Sequence, residues 1–295
     1  MNLHILLEPF QYAFMVEAMF MAALVGGTCA LLSCYLVLKG WSLMGDAVSH
    51  AVLPGIVLAY VLGLPLAVGA FFAGLVCAAG TGWITNHSRL KGDTVMGVVF
   101  TGLFAIGLVM FTKITTDVHL NHILFGSLLG IERNDMVQAI GAAGLTLAIL
   151  AIVRKDILLY LFDPNQARAV GLNTTFLHYL FLSLLSLTIV AALQAVGIIL
   201  TVAMLIVPGC IGQMLTDRFG RMLAIASGAA VFSGIAGTYI SYFLNGATGA
   251  CIVLTQAAIF TLAALFGPKY GILTRARAAR KATATATHVA VVGDR

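Results

Sequence analysis

Residues 94–112 read TVMGVVFTGLFAIGLVMFT, a run without a single charged side chain. A helix needs about 20 apolar residues to cross the hydrocarbon core of a bilayer. The rest of the chain is similar in character: 61% of its 295 residues are hydrophobic, 9% are charged, and the mean hydropathy is +1.03. About a quarter of the residues of a soluble domain are charged, so this chain has too few charged side chains to form the surface of a water-soluble domain. The sequence therefore predicts an all-α, polytopic transmembrane helical bundle.

Apolar segments of spanning length recur along the chain. Two features decide whether their number is eight or nine, namely Pro54-Gly55 inside the second segment and a weak break near Gln194 between the sixth and seventh. We therefore predict eight to nine helices. The candidate segments are residues 13–38, 41–62, 65–85, 94–112, 136–153, 175–193, 196–215, 222–244 and 248–266.

The basic residues predict an orientation, because Lys and Arg concentrate on the cytoplasmic side of membrane proteins. With the amino terminus outside, all of the 16 Lys and Arg except Lys113 and Arg133 fall inside. This arrangement predicts a transmembrane domain over residues 1–268 and a cytoplasmic carboxyl terminus. Residues 269–295 are basic and rich in Ala and Thr, a composition that predicts a disordered tail near anionic lipid.

Several kinds of enzyme are excluded by the motifs that the sequence lacks. It contains no GxxxxGK phosphate loop, no HExxH zinc motif and no GxSxG nucleophile elbow. Its five cysteines lie in apolar runs without a CxxC pair, which indicates neither a zinc knuckle nor a disulfide framework. The sequence therefore favours a protein that transports a substrate over an enzyme that chemically converts one. Nothing in it points to a nucleic-acid partner.

Two acidic residues, Glu17 and Asp46, fall inside the apolar segments, where a charge is costly and usually functional. Glu17 lies close to the outer end of its segment and can reach the interface. Asp46 and His50 are four residues apart and share one helix face, and Ser49 adds a hydroxyl beside them. If the second helix begins after Gly40, Asp46 lies about 9 Å and His50 about 15 Å deep.

A carboxylate and an imidazole suit a borderline divalent cation such as Mn²⁺, Fe²⁺ or Zn²⁺. One helix supplies only two such ligands, whereas a two-fold dimer supplies two Asp and two His. A proton relay and a buried hydrogen bond that fixes helix packing are the alternatives, and the residues alone leave all three open.

A second polar cluster, formed by Asp117, His119 and His122, falls on the outer side between two spans. These side chains are a candidate for receiving a metal at the mouth of the pathway. The alternative is an ordinary polar loop with solvated side chains.

Separated segments of the chain, in order, resemble the metal-specific ABC permeases that import manganese, zinc or iron. The resemblance extends from residue 1 to about residue 273. The sequences of residues 33–55 and of TDRFGR at 216–221 are most similar to the manganese/iron branch of this family. The matching segments are GWSLMGDAVSHAVLPG (40–55), HLNHILFGSLLGI (119–131), DPNQARAVGL (163–172), VGIILTVAMLIVPG (196–209) and YFLNGATGA (242–250).

This resemblance implies a fold similar to the type II ABC importers, in a bacterial cytoplasmic (inner) membrane. It implies a second permease copy, identical or related, a separate ABC ATP-binding subunit that hydrolyses ATP, and a metal-delivering solute-binding protein. The divalent metal would be the transported substrate, moved by alternating access, with no permanently bound cofactor. Asp46 and His50 match the intramembrane metal positions of the family. A zinc-specific permease and a proton-coupled secondary metal transporter are the alternatives.

Residues 163–172 resemble the cytoplasmic element that couples such permeases to their ATPase, within a predicted coupling segment of residues 156–174. Asp163 is suited to cap a short helix, Pro164 to its first position and Gly171 to its end, with Ala167 in between. The alternative is a loop that simply connects two spans.

Overall fold

Long apolar helices joined by short turns make up the described chain. The computed structural model describes residues 8–113, 130–131, 133–267 and 271 (Asn86 by its backbone only), and these residues form helices and no strand. The helices are α1 (Ala13–Lys39), α2 (Met44–Val61), α3 (Leu66–His87), α4 (Gly92–Thr112), α5 (Arg133–Phe162), α6 (Pro164–Ala169), α7 (Thr174–Val196), α8 (Ile198–Leu215), α9 (Phe219–Leu244) and α10 (Thr248–Phe266), with a short 3-10 helix, Glu8–Gln11, before α1.

Nine of the helices in this part of the chain, all except the short α6, are long and apolar enough to cross a membrane. This confirms the all-α bundle and gives the larger of the two predicted helix numbers for the described residues. Helix α2 continues across Pro54 without a break. The break expected near Gln194 falls at Gly197, whose φ of 82° and ψ of 170° separate α7 from α8. A glycine reaches that conformation without the strain that a side chain would cause.

The start of α2 differs from the prediction. Helix α1 ends at Gly40 with φ of 76°, and a turn follows before α2 begins at Met44 rather than directly after Gly40. Asp46 therefore lies in the first turn of α2. Along the helix axis from Met44, a rise of 1.5 Å per residue places Asp46 about 3 Å and His50 about 9 Å from the start of α2, so the helix start on which the expected depths were based is wrong.

The end of α5 also differs from the prediction. The fifth span was expected over residues 136–153, but α5 runs from Arg133 to Phe162 and includes Arg154, Lys155 and Asp156 in regular helix. The first residues of the predicted coupling segment, 156–162, are thus part of α5. The separate element that remains is α6 with its flanking turns.

The core of the bundle lies around α1 and α7. The most apolar stretches of these two helices are each 67% buried, whereas those of α4, α5 and α10 are 17 to 22% buried. Tyr35 of α1 and Phe181 of α7, both fully buried, meet edge to face with ring centroids 6.2 Å apart. The outward faces of α4, α5 and α10 are apolar, which suits contact with lipid chains.

Helix α8 contains a proline, and α1 supports the chain at that point. Pro208 has no N–H and weakens the regular hydrogen bonding of α8. The Ser33 hydroxyl of α1 donates to the Ile206 carbonyl oxygen at 3.2 Å and accepts the Gly209 N–H at 3.0 Å. Gly209 permits this approach, because a Cβ atom there would lie 2.5 Å from Ser33 Oγ. One serine thus fixes α1 against α8.

The predicted tail, residues 269–295, lies outside the described residues apart from Gly271.

Candidate metal-binding pair and coupling helix

Asp46 and His50 lie one turn apart on α2, and their side chains meet. The His50 Nε2 and Asp46 Oδ1 atoms are 3.3 Å apart. The two side chains remain 33% and 36% exposed, so the bundle does not enclose them. A carboxylate oxygen and an imidazole nitrogen are therefore held close together and remain accessible from outside this chain.

The rest of α2 anchors this pair in the bundle. Asp46, His50 and Leu53 are partly exposed and follow one helical stripe, since they are spaced four and three residues apart. Neighbouring positions of the same helix are buried against the other helices: Met44, Ala47, Val48, Ala51 and Val52. The stripe thus remains partly exposed, because the apolar positions of the same helix are the ones buried in the core.

Ser49, the weaker candidate beside the pair, is buried. Its hydroxyl donates to the Gly45 carbonyl oxygen one turn back, at 2.7 Å. That bond uses the hydroxyl proton and leaves the oxygen as an acceptor. A ligand role for Ser49 stays a prediction.

A proline four residues after His50 frees a further oxygen. Pro54 lies inside α2 and has no N–H, so the His50 carbonyl lacks the donor that the helix would normally supply from residue 54. The carbonyl oxygen that loses its regular helical donor thus belongs to the same residue that presents the imidazole.

Two aromatic rings from α4 hold the His50 imidazole. Phe100 stacks on it with ring centroids 6.0 Å apart and an interplanar angle of 28°. Phe104 meets it edge-on at 5.6 Å and 81°. Rings on two sides restrict the rotation of the imidazole and favour the orientation in which Nε2 faces Asp46.

Among the described residues, no third His, Cys, Asp or Glu joins Asp46 and His50 in a group that could hold a metal ion. The other predicted cluster, Asp117, His119 and His122, lies outside the described residues. One described chain thus offers a carboxylate and an imidazole, which are fewer ligands than a transition metal normally takes from a protein.

This pair lies in a chain whose residues 11–267 match the ABC-3 model, described as the ABC 3 transport family. The chain belongs to the ABC 3 transport family. It is therefore a permease subunit of an ABC transporter rather than an enzyme, and its ATPase is a separate subunit. The predicted family is confirmed.

Named relatives of this ABC 3 family chain are transport proteins. It is 56% identical over 259 residues to the chelated iron transport system membrane protein YfeD of Yersinia pestis. This alignment covers 88% of this chain and 87% of the relative. It is 52% identical over 270 residues to the manganese transport system membrane protein MntB of Synechocystis, covering 92% and 88%.

A solved structure shares the fold of this ABC 3 family chain. PsaBC from Streptococcus pneumoniae, in complex with Fab, superposes with a TM-score of 0.81 at 35% identity. The match covers 91% of this chain and 98% of the other. The resemblance to an ABC permease thus holds in three dimensions as well as in sequence.

The short helix α6 of the ABC 3 family chain begins as its sequence predicts. Asp163 is the N-cap, and its Oδ1 accepts the N–H groups of Asn165 at 2.9 Å and Gln166 at 3.0 Å. Pro164 occupies the first helical position, where its missing N–H costs nothing. These bonds satisfy two of the free donors at the helix start and fix its direction.

The end of α6 is equally defined. Gly171 adopts φ of 87°, and its N–H donates to the Arg168 carbonyl at 3.0 Å. The Leu172 N–H donates to the Ala167 carbonyl at 3.0 Å, which completes a Schellman turn. Ala167 is fully buried and seats α6 on the bundle. The capping predictions for Asp163 and Gly171 are confirmed, while their part in coupling stays a prediction.

Phe100 and Phe104 are the site residues that the sequence analysis did not find. Their spacing of four places both rings on one face of α4, and this is the one signal that the sequence carries. Which helix that face meets depends on how α4 packs against α2. Sequence spacing within one helix does not contain that information.

Proposed function

We propose that this chain is the membrane permease subunit of an ABC importer that carries Mn²⁺ or Fe²⁺ into the bacterial cytoplasm. The observation that carries the proposal is the close Asp46–His50 pair on α2 in a chain of the ABC 3 transport family. The names of relatives at 56% and 52% identity, which refer to iron and manganese transport, support this choice of metals.

The chemistry of the pair fits a transported ion. Carboxylate oxygen and imidazole nitrogen together suit borderline divalent metals, and the pair includes no thiolate to retain a soft ion. A small, mixed set of ligands favours binding that is reversible, as transport requires.

A second permease copy completes the site in this proposal. The pair is about one-third exposed and lacks a third acidic, histidine or cysteine ligand among the described residues. Two copies related by a two-fold axis would bring two carboxylates and two imidazoles together. The metal would then be bound between subunits and released when they move apart, which is alternating access in its simplest form.

The partners proposed for the chain are an ABC ATP-binding subunit and a solute-binding protein that delivers the metal. Helix α6 is the proposed contact with the ATPase, supported by its capped ends and its buried Ala167. The outer cluster Asp117, His119 and His122 is proposed to receive the ion. The carboxyl terminus is proposed to be cytoplasmic, because that orientation keeps most Lys and Arg inside.

Uptake of radioactive manganese by proteoliposomes that contain the chain, its ATPase and its delivery protein tests the proposal. We expect uptake that requires ATP and that iron, rather than zinc, competes away. Asp46→Asn and His50→Gln should each abolish uptake while the complex still assembles. Glu17→Gln is the matched control, since Glu17 is an acidic residue in a spanning helix away from the pair.

Three results would contradict this proposal. Uptake that is indifferent to ATP would favour a secondary transporter. Competition by zinc alone would reassign the metal. Full uptake by both Asp46→Asn and His50→Gln would remove the pair from the pathway.

A further inference from the structure

A cavity of about 470 Å³ lies at the end of the bundle where α6 meets the ends of α1, α3, α5 and α7. Its lining includes two cationic side chains, Lys39 and Arg168, and no Asp or Glu among the described residues. A concave surface with two cations and no anion is an electrostatic site for a negatively charged group.

The cations are held in place but are not neutralised. Lys39 Nζ donates to the Leu161 carbonyl at 3.3 Å and lies 5.5 Å from the centre of the Tyr160 ring and 5.7 Å from that of Trp41. In the described part of the chain Lys39 forms no salt bridge with a carboxylate. Two of the three ammonium protons thus remain free for an anion.

Arg168 is placed in a similar way. Its Nε donates to Thr174 Oγ1 at 3.1 Å, which fixes the plane of the guanidinium group. Within the described residues its two terminal nitrogens have no hydrogen bond and no carboxylate partner. These nitrogens form the fork that matches two oxygens of a phosphate.

A buried hydroxyl supplies a second, independent indication of a ligand. Thr81 lines the cavity and is 4% exposed, and among the described residues its buried Oγ1 has only the Cys77 thiol, a weak hydrogen-bonding group, beside it. A buried hydroxyl without a strong partner is costly, and an oxygen acceptor within the cavity would satisfy it once the Thr81 side chain turns toward the cavity.

The aromatic residues of the cavity indicate where it sits in the membrane. The chain has two tryptophans, and both of them, Trp41 and Trp83, line this cavity. Trp83 and Tyr179 are 65% and 50% exposed at its rim. Tryptophan and tyrosine concentrate at the level of the lipid headgroups, where Lys and Arg also direct their charges.

From this combination we infer that the cavity binds the phosphate headgroup of an anionic phospholipid. Lys39 and Arg168 would bind the phosphate oxygens, Thr81 would donate a hydrogen bond, and the exposed Trp83 and Tyr179 would pack along the lipid. A lipid fits better than an acidic side chain of a protein partner, because the rim is aromatic and apolar. The headgroup would then link α1, α3, α6 and α7 at the end of the bundle that carries α6.

Native mass spectrometry of the purified chain with its ATPase, titrated with phosphatidylglycerol or with phosphatidylcholine of the same acyl chains, tests this inference. We expect retention of phosphatidylglycerol in preference to phosphatidylcholine. Lys39→Gln combined with Arg168→Gln should weaken phosphatidylglycerol binding about tenfold or more, because two charged contacts are lost. Arg218→Gln combined with Arg221→Gln removes two exposed cations at the same end, outside the cavity, and should leave binding unchanged.

Two single variants make the test independent of α6 and of net charge. Lys39→Gln lies outside α6 and should reduce binding by itself. Thr81→Val keeps the shape of the side chain and removes only the hydroxyl, so it should weaken binding a few-fold without loss of fold. The lipid is measured without metal or ATP, so this result is separate from that of the transport test.

Four results would overturn the inference. Unchanged phosphatidylglycerol binding by the Lys39 and Arg168 double variant would remove the cavity as its site. Equal retention of phosphatidylcholine would remove the role of charge. Displacement by millimolar inorganic phosphate would assign the site to a soluble anion. Binding to the chain alone that disappears when the ATPase is added would assign the cavity to that subunit.

Discussion

Gly55 of α2 and Gly69 of α3 lie directly against one another, and each faces the backbone of the other. A Cβ atom on either glycine would overlap the carbonyl oxygen of its counterpart. Gly107 of α4 approaches the same place, where a Cβ would lie 2.7 Å from the Pro54 nitrogen. Close backbone contact of this kind is how helices associate in lipid, where burial of apolar surface offers little gain.

The Gly55–Gly69 contact predicts a large effect of one methyl group. Gly69→Ala should push α3 away from α2 and destabilise the chain by about 1–3 kcal/mol, as overpacking does elsewhere. The unfolding midpoint in a denaturing-detergent titration measures it. Gly80→Ala is the control on the same helix, because a Cβ there meets nothing within 4 Å. Equal midpoints for the two variants would contradict the contact.

Ser33 predicts a second stability effect. Ser33→Ala removes the bonds to Ile206 and Gly209 on either side of Pro208 and should cost about 1–2 kcal/mol. The same titration measures the loss. Ser233→Ala is the matched control, since that serine is also fully buried but bonds only the Ala230 carbonyl of its own helix. A loss no larger than that of the control would show that Ser33 does not fasten α8.

The rings around His50 predict a positioning effect on transport. Phe104→Leu keeps an apolar side chain but loses the edge-on contact, so the imidazole gains freedom. We expect manganese uptake to fall about two- to tenfold, mainly through a higher KM, since such ring contacts contribute about 0.5–1.5 kcal/mol. Phe111→Leu on the same helix should leave uptake unchanged. An unaltered KM in Phe104→Leu would mean that the ring does not orient His50 for transport.

The cap of α6 predicts an effect on coupling. Asp163→Ala leaves the Asn165 and Gln166 N–H groups without their acceptor and should destabilise α6 by about 1 kcal/mol. ATP-dependent uptake should fall about fivefold. Asp163→Ser, which also caps helices, should restore most of it. If Ala and Ser behave alike, the helix cap is not what α6 contributes.

Much of the site can be predicted from the sequence, because its key relationships are local. Asp46 and His50 meet because residues four apart share a helix face, and α6 begins and ends where Asp163 and Gly171 dictate. Two local boundaries that the sequence misplaced are the end of α5 and the start of α2. Apolar residues continue through the turn after Gly40, so hydropathy alone does not show that the helix begins only at Met44.

The sequence by itself determined that this protein folds in lipid, that it is built of helices, and that Asp46 pairs with His50. Composition and the spacing of residues within one helix are properties of the chain alone. Tertiary structure alone decided that Phe100 and Phe104 pack against His50, that Ser33 supports α8, and that Gly55 meets Gly69. Those contacts join residues of different helices. Every apolar helix here has several faces that could pack in lipid, and only the arrangement of the whole bundle selects one of them.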